Sequence, residues 1–127
     1  MKQLATKSSE IAQKNAASRV TLSSINRLSN FIADEFQPEK IILFGSHAYG
    51  NPNAHSDIDL LVIMPFQGSP FRQAGIVLNQ VVKSIGVMPL DLLVRTSEQI
   101  NDRLSIGDSF IQEIIQRGRV LYEADQL

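Results

Sequence analysis

Asp57 and Asp59 stand two residues apart at the head of the run Asp57-Ile58-Asp59-Leu60-Leu61-Val62. Separated from Asp57 by ten residues, the pair Gly45-Ser46 closes another apolar run, Ile41 to Phe44. In an extended strand, side chains two apart project from the same face, so the two acids share a surface while Ile58, Leu60 and Val62 line the other. A third acid, Asp91, interrupts Pro89-Leu90-Asp91-Leu92-Leu93-Val94, and none of these runs contains a Lys or Arg. Carboxylates gathered without cations either take up protons or hold hard metal ions. Oxygen-only ligation suits Mg²⁺, with Mn²⁺ as the alternative, and Mg²⁺ commonly shares protein carboxylates with substrate phosphates. The absence of cysteine excludes a thiolate zinc site and disulfides, and the two histidines, His47 and His55, lie in the linker between Gly-Ser and Asp57.

The Gly-Ser pair offers the complementary half of a site. A glycine after a buried strand lets the backbone turn and approach a ligand closely. Ser46 is expected to cap a short helix beginning Ser46-His47-Ala48-Tyr49, with N–H donors facing an anion. A phosphate cradle beside three carboxylates is what binding and attacking a nucleoside triphosphate requires.

The surrounding pattern must bring these residues together. Leu22, Ile25, Leu28, Phe31, Ile32 and Phe36 fall at helical spacing, predicting an amphipathic helix over 21–36 that Pro38 ends. Ile41 to Phe44 is too short for a helix and reads as a buried central strand. Asp57 to Met64 reads as the next strand, antiparallel to the first. A loop marked by Pro65, Gly68 and Pro70 leads into a helix from Phe71 to Ile85. Its stripe of Phe71, Ala74, Val77, Leu78, Val81, Val82 and Ile85 is expected in the core, and Gly86 stops it. Leu90 to Arg95 forms a third strand, parallel to the second by a crossover. Thr96 to Gln99 has the form of a capping box for a helix to about Leu104, and Ser109 to Gln112 repeats the signal for a helix to about Arg117. Arg117 and Arg119 then sit at a helix C-terminus, where cations are favoured. Gly118 breaks that helix, and Val120 to Glu123 supplies a short terminal strand. The expectation is a two-layer α+β domain, a small mixed sheet flanked by helices, over residues 21–127, with residues 1–20 a tail or frayed helix.

At 127 residues the chain is one domain's worth, and its formal net charge of -1 and pI near 6.1 argue against an extended nucleic-acid ligand. No run has signal-peptide or membrane-spanning character, so a cytoplasmic protein is expected.

Gly45-Ser46, ten residues, Asp57-Ile58-Asp59 and a further acid on a later strand resemble the nucleotidyltransferase superfamily of polymerase-β type. The compact length and SDIDLLV following GSHAYG are most similar to minimal nucleotidyltransferases of the kind paired with HEPN toxins, over roughly residues 21 to 123. The resemblance implies transfer of AMP from ATP to a hydroxyl on a partner protein, as the antitoxin of such a pair. It also implies two Mg²⁺ ions held by Asp57, Asp59 and Asp91, with Asp91 helping to deprotonate the acceptor, and Gly45 and Ser46 on the β and γ phosphates. A small-molecule acceptor, as in aminoglycoside nucleotidyltransferases, and a binding-only antitoxin with an unused site remain the alternatives. One departure stands out: His47 and Tyr49 occupy places where minimal members often carry arginines.

Overall fold

Thr21 opens the first helix, α1 (Leu22–Phe36), with a reciprocal cap: its side chain accepts from the Ser24 N–H, and the Ser24 hydroxyl accepts from the Thr21 N–H. Ile25, Leu28, Ser29, Ile32 and Ala33, spaced by three and four, form its buried stripe. Gln37 closes the helix in the left-handed region ahead of Pro38. The computed structural model describes residues 20–53 and 56–125, so the expected tail or frayed helix, Val20 apart, lies outside the described residues, as does His55.

Four strands follow: β1 (Lys40–Phe44), β2 (Ile58–Ile63), β3 (Leu90–Arg95) and β4 (Arg119–Glu123), in the order β3-β2-β1-β4. β1 pairs antiparallel with both β2 and β4, while β2 and β3 run parallel. A parallel pair needs a crossover, and α3 (Pro70–Ser84) supplies it. The short α2 (Ser46–Tyr49) lies in the β1–β2 connection, and α4 (Ser97–Ser105) and α5 (Ser109–Arg117) connect β3 to β4. The result is the expected α+β fold with a small mixed sheet, β1 and β2 central.

Helices cover both faces. Ile41, Leu43, Ile58, Leu60 and Val62 pack with α1 and α3. Ile42, Phe44, Leu61 and Ile63 pack with Ile100 of α4 and Ile111 and Ile114 of α5. Burial on both faces is why the central strands read as continuous apolar runs rather than alternating ones.

Four details differ from the sequence reading. β2 begins at Ile58, which leaves Asp57 one residue outside the strand. Pro70 belongs to α3 rather than to the loop; it fills the first helical position, where a missing N–H costs nothing, behind the cap Ser69. The cap of α5 is Asp108, whose carboxylate accepts from the Phe110 and Ile111 N–H groups, and Ser109 is the first helical residue. The α3 stripe is only partly core: Val77 and Val81 are fully buried, but Phe71 is 90 % exposed and Leu78 and Val82 face outward. α3 lies chiefly over β3, an edge strand, with α1 on one flank, so the sheet ends before it can cover so wide a stripe.

Candidate active site

Strand register assembles the site. Phe44 of β1 lies opposite Asp59 of β2, and Asp59 lies beside Asp91 of β3. Residues at paired positions share a face, so Phe44, Asp59 and Asp91 line up across three strands at one end of the α4/α5 face. Two carboxylates separated by 31 residues thus become neighbours through a single parallel pairing. Asp57 is exposed just ahead of β2 and still close enough for its charge to act on Asp59.

Gly45 follows Phe44 with φ 73°, a conformation that L side chains rarely adopt. A β-carbon there would overlap Asp59 Oδ2 and stand 3.0 Å from Asp59 Cγ. Glycine therefore serves two purposes at this position: it makes the turn into α2, and it lets the Asp59 carboxylate lie directly against the backbone. Gly45, not Ser46, is the cap of α2, and it has no side chain to bond the helix start. Ser46 is the first helical residue, so its hydroxyl is not committed to capping.

Burial holds the Asp59 carboxyl above the ordinary carboxylate range, and the charges of Asp91 and Asp57 push it further the same way. A hydrogen bond with Asp91 raises it as well, while His47 pulls in the opposite direction. His47 Nε2 lies 3.2 Å from the Ser56 carbonyl, an acceptor, so that nitrogen carries the proton and donates. The histidine thereby ties α2 to the segment that leads into Asp57.

Phe44, Gly45, Tyr49, Asp59 and Asp91 border a cavity of about 310 Å³ whose far wall is α5. Phe110 packs edge-on against Phe44, ring centroids 5.8 Å apart and planes at 81°. Glu113 and Ile114 complete the wall opposite Gly45, Tyr49, Asp59 and Asp91. Arg117 stacks its guanidinium 4.2 Å from the centroid of the Tyr49 ring and bonds Glu113 at 2.9 Å. None of Phe110, Glu113 and Arg117 is visible as a site residue in the sequence, where α5 offers only a core stripe and a cation at a helix end. No local signal could have placed them, because the fold alone brings α5 over β1.

The donor set bears on a metal. Asp59 and Asp91 offer only oxygen, and their mutual repulsion is what a hard divalent cation would relieve, so the pair fits Mg²⁺. Among the described residues, no group of three or more His, Cys, Asp or Glu side chains is gathered in metal-holding geometry.

A larger cavity of about 580 Å³ opens at the other end of the same face, bordered by Lys40, Ser97 and Glu123. There the charges are paired: Lys40 Nζ lies 3.4 Å from Glu123 Oε2, and the Ser97 hydroxyl donates to Glu39. Among the described residues no helix is long and apolar enough to cross a membrane.

Comparison with known proteins gives a consistent picture. The family model described as a nucleotidyltransferase domain matches residues 25–121. A protein of Methanocaldococcus jannaschii named as a protein adenylyltransferase is 33% identical over 84 residues, covering 66% of this chain and 78% of that one. Among solved structures, a nucleotidyltransferase from Sulfolobus solfataricus superposes with a TM-score of 0.54 at 18% identity, covering 78% of this chain and 77% of the other. A toxin–antitoxin complex solved with AMP-PNP matches with a TM-score of 0.55 at 18% identity, over 80% of this chain and 75% of the other. A mutant of the MntA-HpeT toxin–antitoxin matches equally well at the same identity, over 80% and 74%. At that identity these structures attest the shared fold.

Proposed function

The chain belongs to the nucleotidyltransferase domain family, and from that premise we propose that it is a Mg²⁺-dependent protein adenylyltransferase of the cytoplasm. In this reading it moves AMP from ATP to a hydroxyl of a partner protein, and it is the antitoxin of a pair whose toxin is a HEPN-domain protein. The name of the Methanocaldococcus relative supports the protein acceptor, and the toxin–antitoxin neighbours support the pairing. The observation that carries the chemistry is Asp59 set beside Asp91 by strand register, with the Asp59 carboxylate directly against the backbone of Gly45. The domain proper is residues 21–127.

Asp57, Asp59 and Asp91 are the proposed catalytic and metal-holding residues, and Gly45 and Ser46 the proposed nucleotide-binding ones. Two Mg²⁺ ions, when bound, supply electrophilic stabilisation of the attacking and leaving oxygens. The side-chain roles follow from position. The Ser46 hydroxyl is available to donate to a phosphate oxygen, and Gly45, without a side chain, seats the Asp59 carboxylate beside it. Asp91, exposed on the edge strand, is placed to receive the proton of an acceptor hydroxyl arriving from solvent. The acceptor oxygen bonds to the α-phosphorus, the bond from that phosphorus to the β-phosphate bridging oxygen breaks, and pyrophosphate departs with the electron pair.

The test is direct. Purified protein is incubated with α-labelled ATP, Mg²⁺ and the product of the neighbouring gene. Label should pass to the partner with the native chain and be absent with Asp57→Ala/Asp59→Ala. Equal labelling by both proteins would refute the enzymatic reading.

A further inference from the structure

A triphosphate carries several negative charges, yet the residues that frame its proposed site contribute acids. From Ile41 to Phe71, a stretch spanning β1, α2 and β2, the chain holds no lysine or arginine. The loop that follows β1 offers His47, whose Nε2 donates to the Ser56 carbonyl, and the phenol of Tyr49. A guanidinium or ammonium group must therefore reach the site from another part of the chain.

Four of the basic residues with a defined place are paired or directed elsewhere. Lys40 is at the far end of the sheet with Glu123. Arg95, at the opposite end of β3 from Asp91, donates to the Val94 carbonyl. Arg103 donates to Asp108, the cap of α5, at 2.8 Å. Arg119 lies opposite Leu43, whose side chain faces α1 and α3, on the wrong side of the sheet.

Arg117 differs. Its guanidinium stacks on the Tyr49 ring at 4.2 Å and bonds Glu113 Oε2 at 2.9 Å, and both of those partners line the cavity that contains Gly45, Asp59 and Asp91. Its side chain is 59% exposed and that of Glu113 46%, so the ion pair is weak and easily exchanged for a better anion. A guanidinium presents a planar fork of donors matched to phosphate oxygens, and stacking on an aromatic ring fixes its plane while leaving the edge free. Its backbone position is also fixed. A β-carbon at the next residue, Gly118, would overlap the Ile114 carbonyl and Ile42 Cγ2, so the end of α5 rests on β1 at backbone distance.

We propose that Arg117 is the phosphate-recognising cation of this site, supplied in trans of the loop by α5, aimed by Tyr49 and held in reserve by Glu113 until a nucleoside triphosphate displaces the carboxylate. The inference rests on the nucleotidyl-transfer reading above and adds a specificity residue to it. Arg117 selects for the β and γ phosphates of the donor, so it distinguishes a triphosphate from a monophosphate.

The experiment is calorimetric titration of the full chain with ATP, AMP and inorganic tripolyphosphate in Mg²⁺, alongside steady-state kinetics and thermal melts. Arg117→Gln should weaken ATP and tripolyphosphate binding about tenfold, the worth of a charged hydrogen bond, and leave AMP binding unchanged. KM for ATP should rise similarly while kcat holds within about twofold. Glu113→Gln should tighten ATP binding several-fold by releasing the guanidinium, and Arg117→Lys should fall between native and Arg117→Gln. Unchanged ATP affinity in Arg117→Gln with a lowered melting temperature would make the residue a structural brace and overturn the proposal, leaving the transfer reading intact. Tripolyphosphate binding that depends on Arg117 in a chain that transfers no label would sink the transfer reading and leave this one standing. A native chain that binds no tripolyphosphate would overturn the proposal as well.

Discussion

The α4/α5 face of the sheet opens into a cavity at each end, and the two ends treat charge in opposite ways. At the larger one, Lys40 is paired with Glu123 and Glu39 with Ser97, the ordinary outcome for groups at a protein surface. At the smaller one, Asp59 is set against Asp91 with Asp57 nearby, and the strand cores beside them offer no cation. On one face of the same sheet, one end sets a lysine and a hydroxyl against its acids, and the other sets carboxylate against carboxylate. Cavity size points to the first end. The unresolved repulsion points to the second, the end proposed to bind nucleotide, because arrangements that oppose stability gather where binding or chemistry needs them.

The largest expected effect attacks the conflict itself. Asp59→Asn should lower transfer by about a thousandfold, since electrophilic stabilisation lost with a ligand is worth several kcal/mol and each factor of ten about 1.36 kcal/mol. The same change should leave the melting temperature at neutral pH unaltered or raised. The sign follows from proton linkage: the folded state of Asp59 binds its proton more tightly than the unfolded chain does. Its contribution is therefore favourable below the unfolded carboxylate range and is lost as pH rises through the raised folded value. Asp108 is the counterpart, held low chiefly by the Ile111 N–H and then by Arg103, so its contribution is present above the unfolded range and fades as pH falls. Melts of native protein and Asp59→Asn from pH 7 down to 4, without divalent metal, should converge; curves that stay parallel would deny the raised carboxyl.

Gly45→Ala comes next. The left-handed backbone costs a β-carbon about 1–2 kcal/mol, and crowding against the Asp59 carboxylate adds roughly 1–3 kcal/mol. Urea denaturation should register the sum as a lower midpoint, with transfer reduced as Asp59 is displaced. The smallest effect belongs to the paired end. Lys40→Ala removes one exposed ion pair, worth about 0–1 kcal/mol, and should leave transfer unchanged. A strong loss of transfer in Lys40→Ala would dissolve the contrast between the two ends.

Much of this was legible beforehand, for reasons that differ by residue. The central strands announced themselves because burial on both faces leaves no polar alternation in Ile41–Phe44 or Leu60–Ile63. The capping box at Thr96 and Gln99 is a local signal with a local cause, and the structure forms it. Asp59 was readable because an acid between Ile58 and Leu60 needs an explanation, and Asp91 because it repeats the anomaly on the next parallel strand. The α3 stripe misled, since periodicity gives the direction of an apolar face but not the width of the sheet available to cover it. The α5 wall was illegible altogether. Phe110, Glu113 and Arg117 acquire meaning only from Tyr49 and Phe44, more than sixty residues earlier in the chain.

The pairing of β4 with β1 has a consequence for the chain as it is made. Gly45, Asp59 and Asp91 leave the ribosome before Arg119, so the carboxylates can meet while one side of β1 is still bare. In that interval the apolar run Ile41–Phe44 is a sheet edge with open hydrogen bonds, the kind of template on which neighbouring nascent chains associate. β4 ends that exposure by covering a greasy strand with one bounded by Arg119 and Glu123, whose charges discourage further strand addition. By pairing with β1, the five residues of β4 close that edge.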